Sequence, residues 1–117
     1  MPVLCDFVEI IGNRPVAISA SPVIVFNPFN TGGRNRSLSA FLTFNVRAVT
    51  AAGTITVNGR RIGSIDAFVG SADHWHTQML SMPGTYLRDG ENDIIIRSPV
   101  LEPFFIRNLV CFFHQSS

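Results

Sequence analysis

ITVNGRRIGSI, residues 55–65, is the stretch that decides the fold. A two-residue hairpin loop matches the twist of its strands only when both loop residues take positive φ, and Asn-Gly does so at least cost. Asn58-Gly59 is therefore the turn, which pairs Val57 with Arg60 and Ile55 with Ile62. Alternation then puts Ile55, Val57 and Ile62 on one face and Thr54, Thr56 and Arg61 on the other, so the hairpin covers a core on one side. A second phrase, TYLRDGENDIIIRSP at 85–99, has the same construction. Asp89-Gly90 closes a tight turn ahead of Ile94, Ile95 and Ile96, a β-branched run suited to a strand.

Outward from these phrases the chain reads as short strands divided by turn residues, with no helical periodicity. Strands are expected at 3–11, 15–20, 23–26, 37–49, 54–57, 60–65, 76–81, 92–97 and 104–114. Breaks fall at 12–15, 27–36, 51–53, 70–73 and 82–84, and a short helical turn also fits around 64–69. The 117 residues suit one domain, 1–117, and neither a repeat nor a linker divides them. A hydrophobic fraction of 46% with 10 Phe, against 15% charged residues, excludes disorder and calls for a dense interior. The expected fold is all-β, an antiparallel β-sandwich.

Residues 38–49 alternate most clearly. Leu38, Ala40, Leu42, Phe44, Val46 and Ala48 share one face, Ser39, Thr43, Asn45 and Arg47 the other, with Phe41 and Val49 as exceptions. The last strand is apolar on both sides: strict alternation puts Phe104, Ile106, Val110 and Phe112 one way and Phe105, Leu109, Cys111 and Phe113 the other. Such a strand needs a second cover. Either the loop at 27–36, with Phe26 and Phe29, supplies it, or a neighbouring subunit docks through Phe105, Leu109 and Phe113 in a homo-oligomer or larger assembly.

A net charge of +1 gives no global field for nucleic acid or an acidic membrane surface, so neither is an expected partner. All nine basic residues are Arg. Arg34, Asn35 and Arg36 stand in a Gly-rich loop and could hold an anion. The N-terminus lacks the pattern of a secretory signal, and no apolar stretch approaches the roughly 20 residues that span a bilayer. A cytoplasmic protein, or one released without a signal peptide, is expected. Cys5 and Cys111 fall in the first and last strands. Terminal strands of sandwiches often adjoin, which leaves a disulfide open, whereas a reducing compartment favours two buried thiols.

The order VNGRRIG, a Trp-containing segment, LRDGENDIII and a closing hydrophobic strand resembles the galactose-binding-domain-like β-sandwiches. The resemblance covers roughly residues 38–113. It rests on Val57-Asn58-Gly59, on Gly63, and on Leu87 with Gly90-Glu91-Asn92 leading into Ile94. It implies a jelly roll and, as in carbohydrate-binding modules and the sugar-binding domains of glycoside hydrolases, recognition of carbohydrate. In that group these positions build turns and strand starts, so no ligand contact is carried over.

One cluster carries candidate chemistry, Asp73-His74-Trp75-His76. In a strand His74 and His76 project to one face, the geometry of two metal ligands, with Asp73 able to orient an imidazole. A third protein ligand is missing unless His114 provides it, so neither metal nor cofactor is expected. No nucleophile elbow or phosphate-cradling loop is present, and Asp89, Glu91 and Asp93 sit at a turn where acids belong anyway. The chain is not expected to be an enzyme. Two functions remain. The first is a carbohydrate-binding module, with Trp75, Tyr86 or Phe29 stacking on a sugar and Asp73, His74, His76, Arg34, Asn35 and Arg36 as polar contacts. The second is a structural subunit that assembles through its last strand.

Overall fold

The computed structural model describes residues 3–20, 24–30, 38–67, 74–88 and 91–116. Among them lie β1 (Val3–Ile11), β2 (Val16–Ile18), β3 (Ile24–Asn30), β4 (Ala40–Arg47), β5 (Gly53–Val57), β6 (Arg60–Ile65), β7 (His76–Met82), β8 (Glu91–Arg97) and β9 (Phe104–Ser116). One 3-10 turn, Gly84–Tyr86, precedes β8. No helix among the described residues is long and apolar enough to cross a membrane. One sheet runs β1-β9-β4-β7, with β2 also paired to β9, and the other runs β3-β8-β5-β6. Every pairing is antiparallel. The fold is the antiparallel jelly-roll sandwich that the sequence implies.

The core lies between the sheets. Leu42, Phe44, Val46, Ile106 and Leu109 from the first sheet meet Ile55, Val57, Ile94 and Ile96 from the second, none more than 1% exposed. Burial of each such side chain contributes about 1.5–3 kcal/mol against its exposed state.

The two opening phrases turn out to be clamped together. Asn58 (φ 50°) and Gly59 (φ 83°) make the expected turn. The Asn58 side-chain amide donates to the Tyr86 carbonyl (2.8 Å) and to Asn92 Oδ1 (2.8 Å), while Asn58 Oδ1 accepts from the Asp93 amide (2.9 Å). Asn92, itself buried, is also bound by the Arg88 amide at 2.7 Å. Val57 pairs with Arg60 as expected, but a bulge after Ile55 sets that residue opposite Gly63 rather than Ile62. Close approach explains the glycine: a Cβ there would lie 2.8 Å from Leu80 Cδ2 of the facing sheet. The Asp89-Gly90 turn lies outside the described residues.

Strict alternation fails in β9, for a local reason. Asn108 takes φ 53°, its amide donates to the Gly12 carbonyl at 2.8 Å, and the register against β4 slips between Thr43 and Asn45. A bulge adds one residue and exchanges the faces. Phe104 and Ile106 before it, and Leu109, Cys111 and Phe113 after it, therefore all enter the core. Leu109 (0% exposed) and Phe113 (3%) are interior residues, which corrects the expectation that they form an interface with Phe105. The outer face instead carries Phe105, Arg107, Val110 and Phe112. Just past β4, Ala48 takes φ 62° and Val49 is buried, and Leu38 lies before the strand, exposed.

The cover expected from residues 27–36 is described only in part. Residues up to Asn30 belong to β3 of the second sheet, and Arg34, Asn35 and Arg36 fall outside the described residues. β1 and β9 do adjoin, but Cys5 faces His114 while Cys111 faces Val8. Three ladder positions, roughly 10 Å, exceed the span of a disulfide. Cys111 is a free, buried thiol, and burial pushes its pKa up to about 12.

Candidate functional site

The outer face of the first sheet brings together the one Trp and two of the nine Arg. β4 lies between β7 and β9, and its outward residues Phe41, Thr43, Asn45 and Arg47 are met on the β9 side by Phe112, Val110, Arg107 and Phe105. On the β7 side the partners of Phe41, Thr43 and Asn45 are Ser81, Met79 and Thr77, and Trp75 stands just before that strand.

One end of this face is a ladder of rings and guanidiniums. The Arg107 guanidinium carbon lies 4.0 Å from the centre of the Trp75 ring, and that of Arg47 lies 5.1 Å from Trp75 and 5.3 Å from Phe105. Such stacking fixes the guanidinium planes. Alongside runs a polar row: Asn108 Nδ2 donates to Asn45 Oδ1 (2.9 Å), and Asn45 Nδ2 donates to Thr77 Oγ1 (2.9 Å). Thr77, having accepted, keeps its own proton to donate outward, and Asn108 keeps an acceptor. The bulge at Asn108 thus does two things at once, filling the core and setting an amide beside Arg107.

The other end is apolar. Phe41 stacks on Phe112 (5.0 Å between ring centres), Phe7 packs on Phe112 at 6.1 Å, and Phe7 and Met79 stand 62% and 59% exposed.

The Asp73–His76 cluster divides between the two faces of the sheet. Trp75 turns outward to the arginines, whereas His76 takes the inward parity of β7, opposite buried Val46. The His74 and His76 rings are 6.5 Å apart, and Asp73 lies outside the described residues. Among the described residues no three His, Cys, Asp or Glu side chains gather as metal ligands. His114 sits near the far end of β9, eight residues beyond the Ile106 that pairs with Val46, hence roughly 20–25 Å from His76. Its ring lies 3.1 Å from the Ser39 carbonyl. Tyr86, the other described loop aromatic, lies under Arg60 at 4.9 Å.

Arg47, Arg107, Asn45, Thr77 and Asn108 were not singled out from sequence. Asn45 and Arg47 had fallen on the polar face of their strand, and Arg107-Asn108 interrupts an otherwise apolar run. Both were usable signals.

The class that the structure defines is the antiparallel jelly-roll β-sandwich, a fold the chain shares with a carbohydrate-binding module of known structure. Two solved structures are similar to the chain in fold. A β-porphyranase of glycoside hydrolase family 86 from the human gut bacterium Bacteroides plebeius matches 98% of the chain with a TM-score of 0.69 at 15% identity. The chain spans only 21% of that enzyme's length. A family 35 carbohydrate-binding module from Clostridium thermocellum matches 88% of the chain and 99% of its own, with a TM-score of 0.51 at 20% identity. No protein-family model matches, and no curated protein matches in sequence.

Proposed function

We propose that the chain is a non-catalytic carbohydrate-binding module that uses the outer face of its β1-β9-β4-β7 sheet, at the end formed by Phe105, Arg47, Trp75 and Arg107. The observation that carries this reading is the ring-and-guanidinium ladder lying against the Asn108–Asn45–Thr77 row. A sugar offers apolar C–H patches and hydroxyl edges, and a site that pairs aromatic surface with a few fixed donors and acceptors complements both. The likeness of 88% of the chain to a family 35 carbohydrate-binding module supports the same reading. With Arg107 against the indole, the ligand meets Trp75 through its remaining exposed surface and through the guanidinium edges. Affinity electrophoresis in gels cast with a panel of soluble polysaccharides tests the proposal. At least one should retard the chain, and Trp75→Ala should abolish most of that retardation while the melting temperature holds. Retardation unchanged in Trp75→Ala would refute the site.

A second reading, self-association, draws on the apolar end of the same face, where Phe7 and Met79 are exposed beside the Phe41–Phe112 stack. Mass photometry should then find an oligomer that Phe112→Asp dissociates, and a monomer throughout the micromolar range would remove this reading.

A further inference from the structure

We infer that the carbohydrate taken by this face is acidic, carrying a carboxylate or a sulfate ester that sits between the Arg47 and Arg107 guanidiniums. The inference rests on the carbohydrate reading and deepens it. Two cations bear on one indole ring, and among the described residues neither pairs with a carboxylate. Arg107 Nε is enclosed and has no hydrogen-bond partner among the described residues, so a ligand meets this guanidinium through its two terminal nitrogens. Glu9 shares the outer face, but it lies on β1 opposite Val110 and folds its carboxylate back over Gly12, where an added Cβ would meet Oε1 at 2.9 Å.

Like charges held over one ring repel, and an anion between them relieves the repulsion. Guanidinium forks match the paired oxygens of a carboxylate or sulfate, and stacking on Trp75 and Phe105 holds those forks in plane before the ligand arrives. A neutral sugar would need hydroxyl contacts alone, which the Asn108–Asn45–Thr77 row already offers. Two stacked arginines add selectivity for charge.

The test measures affinities of the full chain for polygalacturonate and its full methyl ester, and for a sulfated galactan and its desulfated form, with single-stranded DNA as a different polyanion. The expected result is that at least one charged polymer binds about tenfold or more tightly than its neutral counterpart, and that raised salt weakens it. Which pair shows the difference separates carboxylate from sulfate. Arg47→Gln and Arg107→Gln should each weaken that binding about tenfold with the neutral polymer unaffected, and Arg107→Lys should restore only part of it. Equal binding of charged and neutral polymers, lost in Trp75→Ala but retained in both glutamine variants, overturns the charge inference and leaves the carbohydrate reading standing. Retention of neither kind of polysaccharide overturns both, as does arginine-dependent binding of the DNA alone.

Discussion

Asn58 is the residue on which the architecture can be tested most sharply, because it holds the two signature phrases to each other. In Asn58→Gly the positive φ is kept while two donated bonds and one accepted bond disappear. At about 1 kcal/mol per bond, less for the exposed one to the Asp93 amide, the loss is about 2–3 kcal/mol. In Asn58→Ala the same bonds go and the left-handed conformation costs about 1–2 kcal/mol more, offset by roughly 0.5 kcal/mol because glycine is freer when unfolded. Alanine should therefore be the worse replacement by about 1 kcal/mol, the reverse of its usual advantage over glycine. Urea unfolding followed by Trp75 fluorescence reads both. With a slope of about 1.5 kcal/mol/M, Asn58→Gly should lower the midpoint by about 1.5–2 M. A glycine variant within 0.5 kcal/mol of wild type would show that the clamp contributes nothing. An alanine variant as stable as the glycine one would show that the turn does not need positive φ.

Further predictions concern packing and titration. Gly53→Ala should cost about 1–3 kcal/mol, since its Cβ would lie 2.9 Å from the Arg97 carbonyl oxygen and 3.2 Å from the Phe104 ring. Gly63→Ala should cost less, because the atom it meets is the end of the Leu80 side chain, and the two denaturation midpoints should differ accordingly. Peptide mapping after alkylation at pH 8 should leave Cys111 unmodified in the native chain and label it in urea. Its pKa is raised on folding, so the stability this thiol contributes is complete below the unfolded value near 9 and is lost as pH climbs toward about 12. Against Cys111→Ala, the wild type should lose up to about 1.4 kcal/mol per pH unit across that interval. A constant difference between the two would refute the buried thiol.

The strands were legible because their signals are local. Asn-Gly dictates a turn wherever it occurs between apolar runs, and the alternation of Ala40, Leu42, Phe44 and Val46 follows from a period of two. Two single residues defeated the same logic. Asn108 sits in a bulge of β9 and Ala48 follows the end of β4, both at positive φ; a polar residue in an apolar strand marks the first, and nothing in composition marks the second. The bulge moved Leu109 and Phe113 from an imagined surface into the core. At the site, Trp75 was visible as the single indole in the chain. Its partners were not, because Arg47 and Arg107 reach it only through the β7-β4-β9 neighbourhood, and strand order is a non-local outcome that no short window contains.

The central claim is that carbohydrate is bound on the outer face around Trp75. The most direct measurement titrates the 15N-labelled chain with oligosaccharides cut from the polysaccharide that retards it most, and follows amide shifts by NMR. The account predicts that the perturbed amides gather at Asn45, Arg47, Thr77, Phe105, Arg107 and Asn108, with the Trp75 indole N–H among the largest. Perturbations centred on β3-β8-β5-β6, or the absence of any polysaccharide that binds, would contradict it.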